Sequence, residues 1–238
     1  MNLKEVINQK IYSAPLSELP TENKCIINAF NPHSYIVAKN DKLFEEALLS
    51  SDVLLPDGIG IVLAAKFLKT KAIKKIAGAD LHQYLLTQAN KKGQAVFYLG
   101  AAEDTLQGIE KKVQQEYPLI RVGSYCPPFS TILSIKESNK IIKVIEKFKP
   151  DIIFVGMTAP KQELWVHQHK MSINSQVIAS VGAVFDFYAG TVKRPGPFWI
   201  KLGLEWLIRL LREPKRLWKR NFVSTPLFLS DVLKEKFS

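Results

Sequence analysis

Acidic residues with adjacent glycines stand where short apolar runs give way to helical patterns. Asp57 lies in the segment Pro-Asp-Gly-Ile-Gly, directly after the apolar run Val53–Leu55. The two glycines permit a tight turn and a close approach of the backbone to a ligand. Asp57 is then suited either to accept a proton from a substrate or to cap the next helix. Gly78 and Asp80 form a similar turn with the same two interpretations.

Two further apolar runs end in glycine, at Gly100 and Gly156, before the next helical pattern. A strand, a glycine and a helix in this order can present backbone N–H groups to a phosphate. An ordinary strand-to-helix turn explains the pattern equally well. The GxGxxG fingerprint of dinucleotide-binding proteins is absent from both turns, which argues against an NAD-type dehydrogenase.

The segment after Gly156 is rich in polar side chains. Its candidate ligand-binding residues are Thr158, Pro160, Lys161, Gln162 and Glu163. Pro160 suits the first turn of a helix. Lys161 and Gln162 then stand at the positive end of that helix, where an anion is favoured. A plain surface turn is the alternative interpretation.

Strand-like and helical patterns alternate through residues 25–181, and they must position these side chains. The predicted strands are Cys25–Phe30, Val53–Leu55, Ala95–Leu99, Ile120–Tyr125, Ile152–Val155 and Val177–Val181. The predicted helices are Gly58–Leu68, Leu81–Lys91, Glu103–Glu116, Ser134–Phe148 and Lys161–His169. This alternation predicts an α/β fold with a Rossmann-like, mostly parallel sheet covered by helices on both faces. Ligands of such sheets bind beyond the carboxyl ends of the strands, where the candidate residues follow.

The chain has 238 residues and a formal net charge of +11, which indicates an anionic partner. Its N-terminus has no apolar segment of a secretory signal, and no apolar run is long enough to span a membrane. Cys25 and Cys126 are interpreted as buried, reduced thiols. These features predict a cytoplasmic protein that is soluble or peripheral on the inner face of the membrane.

A basic, tryptophan-rich segment follows residue 190. Residues 193–220 contain nine Lys or Arg and two Glu, a net of +7, together with Trp199, Trp206 and Trp218. We therefore predict a catalytic domain at 1–190 and a helical, membrane-associating appendage at 191–238. Packing of these apolar residues on the core is the alternative. The appendage also permits self-association.

The sequence offers little for a metal ion. His167 and His169 are two residues apart, so they do not share one face of a helix. No Asp-x-Asp pair is present for a nucleotide-bound divalent ion. We expect neither a metal nor a cofactor.

Several motifs in fixed order resemble the WecG/TagA/CpsF family of bacterial glycosyltransferases. They are Asp57–Gly60, Ala77–Asp80, Pro160–Glu163, Gly182–Gly190, Gly203–Trp206, Arg209 and Glu213-Pro214. The resemblance runs from about Asn31 to about Arg220. It implies a metal-independent, inverting transfer of a sugar, often N-acetylmannosamine, from UDP to a sugar on a polyprenyl diphosphate. Such transfers build teichoic acid linkage units or surface polysaccharides.

The resemblance also implies roles for individual residues. Asp57 matches the family's proposed general base, and Gly156–Glu163 matches its nucleotide-contacting segment. The motifs add Asn31, Gly58, Gly78, Asp80, Gly100 and Asp186 as substrate contacts. The appendage supplies cations for the leaving diphosphate or the membrane: Arg194, Arg209, Arg212, Arg216 and Arg220.

Two departures concern the donor. Ala29 stands where some members have Thr, and Lys75 or Ile76 replaces the family's usual Arg. Three alternatives remain beside the transferase: an NAD-type dehydrogenase, a basic nucleic-acid-binding α/β protein and a non-catalytic membrane adaptor. No known nucleic-acid-binding motif is present, so we expect no nucleic-acid partner.

Overall fold

A six-stranded sheet forms the centre of the molecule in a computed structural model, which describes residues 1–130, 132–193, 195–196, 198–199 and 205–237. The strands are β1 Cys25–Phe30, β2 Val53–Pro56, β3 Ala95–Gly100, β4 Arg121–Tyr125, β5 Ile152–Gly156 and β6 Val177–Ser180. Their order is β2-β1-β6-β5-β3-β4, and neighbouring strands pair in parallel. The predicted Rossmann-like α/β fold is confirmed.

Helices connect the strands and form the C-terminal segment. Those before and between the strands are α1 Leu3–Gln9, a short 3-10 helix Leu16–Glu18, α2 Pro32–Asn40, α3 Lys42–Leu49, α4 Ile59–Leu68, α5 Gly78–Lys92, α6 Glu103–Glu116, α7 Ile135–Phe148 and α8 Lys161–His169. After β6 come α9 Val184–Ala189, α10 Glu205–Arg212, α11 Pro214–Trp218, a π-helical turn Lys219–Ser224 and α12 Thr225–Phe237. The predicted helices correspond to α4–α8, and the predicted bounds of α6 and α8 agree with the structure.

Both faces of the sheet are buried, as the continuous apolar strands predict. On one face, Tyr98 and Phe154 pack in a cluster with residues of α5, α6 and α9. On the other face, Phe97 and Ile153 pack against α7 and α8. A third cluster joins Leu54 to α1, α2, α4 and α12. The carboxyl edge of the sheet is left for a ligand.

The chain reverses its direction of winding between β3 and β5. The connection from β3 leads outward to β4, whereas the connection from β5 leads back to β6. A crevice at such a reversal is the usual ligand site of an open α/β sheet. Gly100 and Gly156 end the two strands, and a Cβ on Gly100 would lie 2.7 Å from the Gly156 carbonyl oxygen. Gly100 therefore allows the two strand ends to approach closely, and Gly156 leaves room for the Phe185 ring, which would lie 2.5 Å from a Cβ at that position.

Several helices were not predicted from the sequence. They are α1, α2, α3 and α9; α12 lies in the appendage predicted to be helical, although its own bounds were not predicted. The α2 helix begins at Asn31-Pro32, a pair that reads as a turn, although Asn31 is a helix cap and Pro32 the first helical residue. The α12 helix buries Phe228 against Tyr35, with their ring centroids 5.6 Å apart. Its residue Glu235 accepts hydrogen bonds from the backbone N–H groups of Leu3 and Lys4, at 2.6 and 2.8 Å.

The structure tests the predictions made for the cysteines and for a membrane-spanning segment. Cys25 is buried, but Cys126 is only partly buried because it lies after β4 at the edge of the sheet; both are free thiols. Among the described residues, no helix is long and apolar enough to cross a bilayer.

Candidate active site

Asp57 lies at the carboxyl end of β2, in the turn that leads to α4. Its backbone N–H donates to the Phe30 carbonyl at 2.9 Å, which holds this turn against the end of β1. Asn31 therefore stands beside Asp57 on the neighbouring strand end. Gly58 has a φ of +91°, a conformation that side chains rarely adopt. This backbone conformation explains why the turn contains a glycine, as the sequence predicted.

A pocket lies over Asp57, and the C-terminal helices form part of its wall. The lining residues come from the β2–α4 turn, the segment before α5 and the region α10 to the π-helical turn: Asp57, Gly58, Ile59, Lys75, Ala77, Trp206, Arg209, Leu217, Arg220 and Asn221. Either Lys75 or Ile76 stands where the resemblance leads us to expect an Arg, and of these two Lys75 lines the pocket. Residues more than 140 positions apart in sequence thus form one site.

The pocket brings one carboxylate and several cations together. An Arg220 Nη2 lies 3.9 Å from Oδ2 of Asp57, and both side chains are about one-third exposed (35% and 28%). An ion pair this exposed contributes at most about 1 kcal/mol to stability. The guanidinium of Arg209 lies 5.1 Å from the centre of the Phe187 ring, which positions it at the pocket wall. These charges therefore contribute little to the stability of the fold and are suited to binding a charged ligand.

His33 borders the site and was missed in the sequence. Its Nδ1 is 2.8 Å from Oγ of Ser224, so it links the start of α2 to the π-helical turn that carries Arg220. Burial lowers the pKa of His33, and the charge of Arg220 lowers it further. The imidazole is therefore harder to protonate than that of an exposed histidine. Its position three residues after β1, at the carboxyl edge, was the available signal.

Asn31, Gly78 and Asp80 shape the starts of helices. The Asn31 side chain accepts from the backbone N–H groups of His33 and Ser34, both at 3.0 Å. Asp80 accepts from the backbone N–H of Ala77 at 3.1 Å. The Asp80 contact matches the capping interpretation of its turn, and Asn31 is a helix cap that the sequence did not predict. Substrate contact by the same residues remains a prediction.

Gly78 lets α5 approach the turn after β6. A Cβ on Gly78 would lie 3.2 Å from a methyl group of Val184. Asp186, in α9 after that turn, accepts hydrogen bonds through its backbone carbonyl from the N–H groups of Gly190 and Val192, at 3.1 and 3.2 Å. Gly78 therefore has a packing role, and a ligand role for Asp186 stays a prediction.

The segment after β5 meets the loop before α7. Thr158 is exposed and Pro160 precedes the first residue of α8. The Lys161 ammonium donates to the Ser130 carbonyl at 2.7 Å, and partial burial lowers the pKa of Lys161. The start of α8 thus lies beside the crevice between β3 and β5, with a cation at its N-terminus.

Gln162 and Glu163 form a buried polar pair under this crevice. The Gln162 amide donates to Oε1 of Glu163 at 2.8 Å, and each side chain is 4% exposed. Desolvation raises the pKa of Glu163 to about 7. The Gln162 carboxamide lies 3.9 Å from where a Cβ on Gly182 would stand, so it reaches the turn after β6. The pair sits between the end of β5 and that turn.

Two parts of the predicted site are separated along the sheet edge. Asp57 follows β2 and Gly156 ends β5, three strands away. At about 4.8 Å between strands, the separation is about 14 Å. Gly100 ends β3, one strand further along. The edge can therefore hold an extended ligand with one end at Asp57 and the other at the β3–β5 crevice.

The predicted arginines of the appendage fall into three groups. Arg209 and Arg220 line the pocket. Arg212 is exposed and donates to the Lys193 carbonyl at 2.5 Å. Arg194 and the side chain of Arg216 lie outside the described residues, although the backbone of Arg216 belongs to α11.

Comparison with known proteins places the chain in a family. The profile of the glycosyl transferase WecG/TagA/CpsF family matches residues 5–238. A Bacillus subtilis (strain 168) relative is 34% identical over 211 residues, 89% of this chain and 80% of its own length. A Staphylococcus aureus (strain MRSA252) relative is 33% identical over 234 residues, 98% of this chain and 88% of its own. Both are N-acetylglucosaminyldiphosphoundecaprenol N-acetyl-beta-D-mannosaminyltransferases. This chain is a glycosyltransferase and belongs to the WecG/TagA/CpsF family.

Proposed function

We propose that this glycosyltransferase moves an N-acetylmannosamine-type hexose from UDP to a sugar on a polyprenyl diphosphate, with inversion at the transferred carbon. The observation that carries the proposal is the pocket in which Asp57 faces Arg220 at 3.9 Å. The relatives' names specify the transferred sugar and the lipid-linked acceptor of those proteins. The product would enter teichoic acid or surface polysaccharide synthesis.

Asp57 is the proposed general base. It accepts the proton of the acceptor hydroxyl while the hydroxyl oxygen forms the bond to the sugar carbon. The bond from that carbon to UDP breaks on the opposite face, and its electron pair leaves with the diphosphate. Partial exposure, 28% of the side chain, leaves Asp57 accessible to an acceptor. General-base catalysis of this kind contributes about 10²–10⁴-fold.

Cations of the pocket are the proposed stabilisers of the leaving diphosphate. Arg209 and Arg220 come from the C-terminal helices, and Lys75 comes from the segment before α5. An arginine fork binds two phosphate oxygens at once, and fixed cations stabilise charge as it develops. Because Arg220 also neighbours Asp57, departure of UDP and proton transfer take place within one charged cluster. No metal is needed in this scheme.

The β3–β5 crevice is the proposed position of the nucleotide. Gly100 and Gly156 let β3, β5 and the Phe185 ring pack closely below the crevice, and the start of α8 favours an anion. The carboxamide of Gln162 and the turn at Gly182 lie between this crevice and the pocket. UDP-sugar laid along the sheet edge would then place its sugar towards Asp57.

The acceptor's lipid requires contact with a membrane. Trp206 and Trp218 flank the pocket helices and are 45% and 47% exposed. Exposed tryptophans beside arginines favour the headgroup region of a bilayer. We therefore propose peripheral attachment of the C-terminal segment to the cytoplasmic face of the membrane, without nucleic acid as a partner.

A UDP-release assay tests the proposal. The full chain is incubated with UDP-N-acetylmannosamine, other UDP-sugars and a polyprenyl-diphosphate-linked N-acetylglucosamine in detergent or vesicles, with EDTA in parallel. We expect UDP release that depends on the acceptor and survives EDTA. Release abolished by EDTA contradicts metal independence, and no release with any UDP-sugar contradicts the donor class.

A further inference from the structure

The α4 helix exposes an apolar stripe at the protein surface. Ile59, Leu63 and Phe67 are four residues apart and share one face, with 38%, 57% and 43% of their surfaces exposed. The opposite face, which includes Ile61 and Ala65, is buried. Surface helices usually carry polar residues on their outer face, and a helix that is apolar on both faces is usually covered. The outer face of α4 therefore has the character of a contact surface.

Cations are frequent in α4 and in the segment that follows it. Between Asp57 and Asp80 the chain contains five lysines and no acidic residue: Lys66, Lys69, Lys71, Lys74 and Lys75. Lys236 of α12 adds another, because its ammonium donates to the Phe67 carbonyl at 2.8 Å and lies 5.3 Å from the Phe67 ring centre. An apolar centre with a basic rim is complementary to an anionic bilayer, with its negative headgroups above an apolar interior.

The stripe is continuous with the candidate active site. Ile59 is the first residue of α4 and also lines the pocket beside Asp57. The helix rises 1.5 Å per residue, so the stripe extends about 12 Å from Ile59 to Phe67. A bilayer in contact with this stripe would therefore lie next to the pocket entrance.

We propose that the outer face of α4 docks the protein on an anionic bilayer, with Leu63 and Phe67 in the interface and the neighbouring lysines on lipid phosphates. This is a second membrane contact, on the α/β core, beside that of the tryptophan-bearing helices. It rests on the proposed function in one respect: an acceptor held in the bilayer gives the contact its purpose, since the contact sets the height of Asp57 above the lipid.

A second copy of the chain is the competing occupant. In a two-fold symmetric dimer, the same patch of each subunit faces the other. Here such a dimer would bring two sets of lysines together, because Lys66 in α4, Lys69 at its end and Lys74 in the following segment are exposed. An anionic bilayer neutralises these charges instead, and the observations favour it.

Vesicle flotation of the full chain tests the contact. Phosphatidylglycerol–phosphatidylcholine vesicles are compared with phosphatidylcholine alone, for the wild type and the variant L63Q/F67Q. The control variant is L119Q/M171Q, whose residues are 64% and 86% exposed. They precede β4 and β6 and therefore lie at the amino edge of the sheet, away from the pocket at the carboxyl edge. We expect binding of L63Q/F67Q to be about tenfold weaker or more, from the lost apolar burial, and that of the control to change less than about twofold.

A charge variant tests the basic rim separately. K66Q/K69Q/K74Q is expected to bind anionic vesicles at least about tenfold more weakly, with little change on phosphatidylcholine alone. Circular dichroism and thermal unfolding show whether the variants remain folded. Wild-type partition of both α4 variants would overturn the proposal and leave the C-terminal helices as the membrane contact.

Two further readouts separate the alternatives. If sedimentation shows a dimer that L63Q/F67Q dissociates, while vesicle binding is unchanged, the face is a subunit interface and the proposal is wrong. If the proposal is right, L63Q/F67Q transfers sugar normally to a short-chain, water-soluble acceptor and poorly to one embedded in vesicles. If the wild type turns over no UDP-sugar, the proposed function fails, but flotation still decides the role of α4.

Discussion

A general base must be reachable by the substrate and held in place by its backbone. Asp57 meets both conditions, because its side chain is 28% exposed and its backbone N–H is fixed to Phe30 at 2.9 Å. The carboxylate of Asp80 differs, since it accepts the hydrogen bond that closes the first turn of α5. At the scale of single residues, the two Asp-containing turns that looked alike in the sequence are therefore distinct.

Substitution of Asp57 by Asn tests the base assignment. The amide keeps the size of the side chain but cannot accept the proton, so we expect transfer to fall by about 10²–10⁴-fold. Thermal stability should change by less than about 1 kcal/mol, because the ion pair with Arg220 is exposed. UDP release and thermal unfolding measure the two effects.

Asp41→Asn is the matched control for this substitution. Asp41 caps α3 through the N–H of Phe44, and Asn caps helices equally well. We expect its transfer rate to match that of the wild type. Near wild-type transfer by folded Asp57→Asn would show that another group takes the proton.

Glu163 gives a prediction about stability and pH. Burial raises its pKa from about 4.5 to about 7, so between these values the folded protein binds a proton that the unfolded chain has released. The contribution of Glu163 to stability therefore decreases as the pH rises through this window, by about 1.4 kcal/mol per unit at most, while buried His82, with a pKa lowered to about 3, contributes the opposite trend in both proteins. Glu163→Gln is neutral at every pH and should remove this decrease. Urea unfolding at pH 5 and pH 7.5 gives the free energy of unfolding of the two proteins. The same change with pH in both would contradict a raised pKa of Glu163.

Part of the site was predictable at this scale. Asp57, Arg209 and Arg220 were candidates, and the structure brings them to one pocket. His33 and Asn221 were missed, because a histidine after a strand and an asparagine in a helix carry no local signal of their own. Their place depends on how the C-terminal helices return to the end of β2, which local periodicity does not encode.

Among the elements, the strands were the most predictable. Five of the six are short, mostly apolar runs, since helices bury both faces of a parallel sheet, whereas the edge strand β4 is polar and partly exposed. The α2 and α3 helices were harder to recognise, because α2 buries polar Ser34 beside apolar residues and begins at a turn-like Asn-Pro pair. The strand order follows from long-range packing, so the crevice between β3 and β5 appeared only in the structure.

Two glycines at strand ends give a paired prediction. Gly58 has a φ of +91° with no atom near its missing Cβ, whereas Gly100 combines a φ of +112° with a Gly156 oxygen 2.7 Å away. We expect Gly58→Ala to cost about 1–3 kcal/mol from backbone strain. Gly100→Ala should cost about 1–3 kcal/mol more, because the added methyl group forces the ends of β3 and β5 apart. Urea unfolding measures both, and equal losses would mean that the strand ends separate freely.

For the whole molecule, the C-terminal segment returns to the beginning of the chain. Phe228 is fully buried among residues of α1, α2 and α4, and Glu235 binds the backbone of Leu3 and Lys4. The pocket-lining helix α10 also contacts α9, since the Arg209 guanidinium lies 5.1 Å from the centre of the Phe187 ring. This arrangement places Arg209 and Arg220 over Asp57 even though the intervening chain is long.

Phe228 and its neighbour Leu229 test this closure. Phe228→Ala removes a buried ring and should cost about 3–5 kcal/mol, whereas Leu229 is 53% exposed and Leu229→Ala should cost less than about 1 kcal/mol. If α12 and the α/β core unfold together, Phe228→Ala shifts the midpoint of a single unfolding transition to a lower urea concentration, in both circular dichroism and tryptophan fluorescence. A separate early transition, with the main one unchanged, would show that α12 is an independent appendage and that the pocket arginines are not fixed by it.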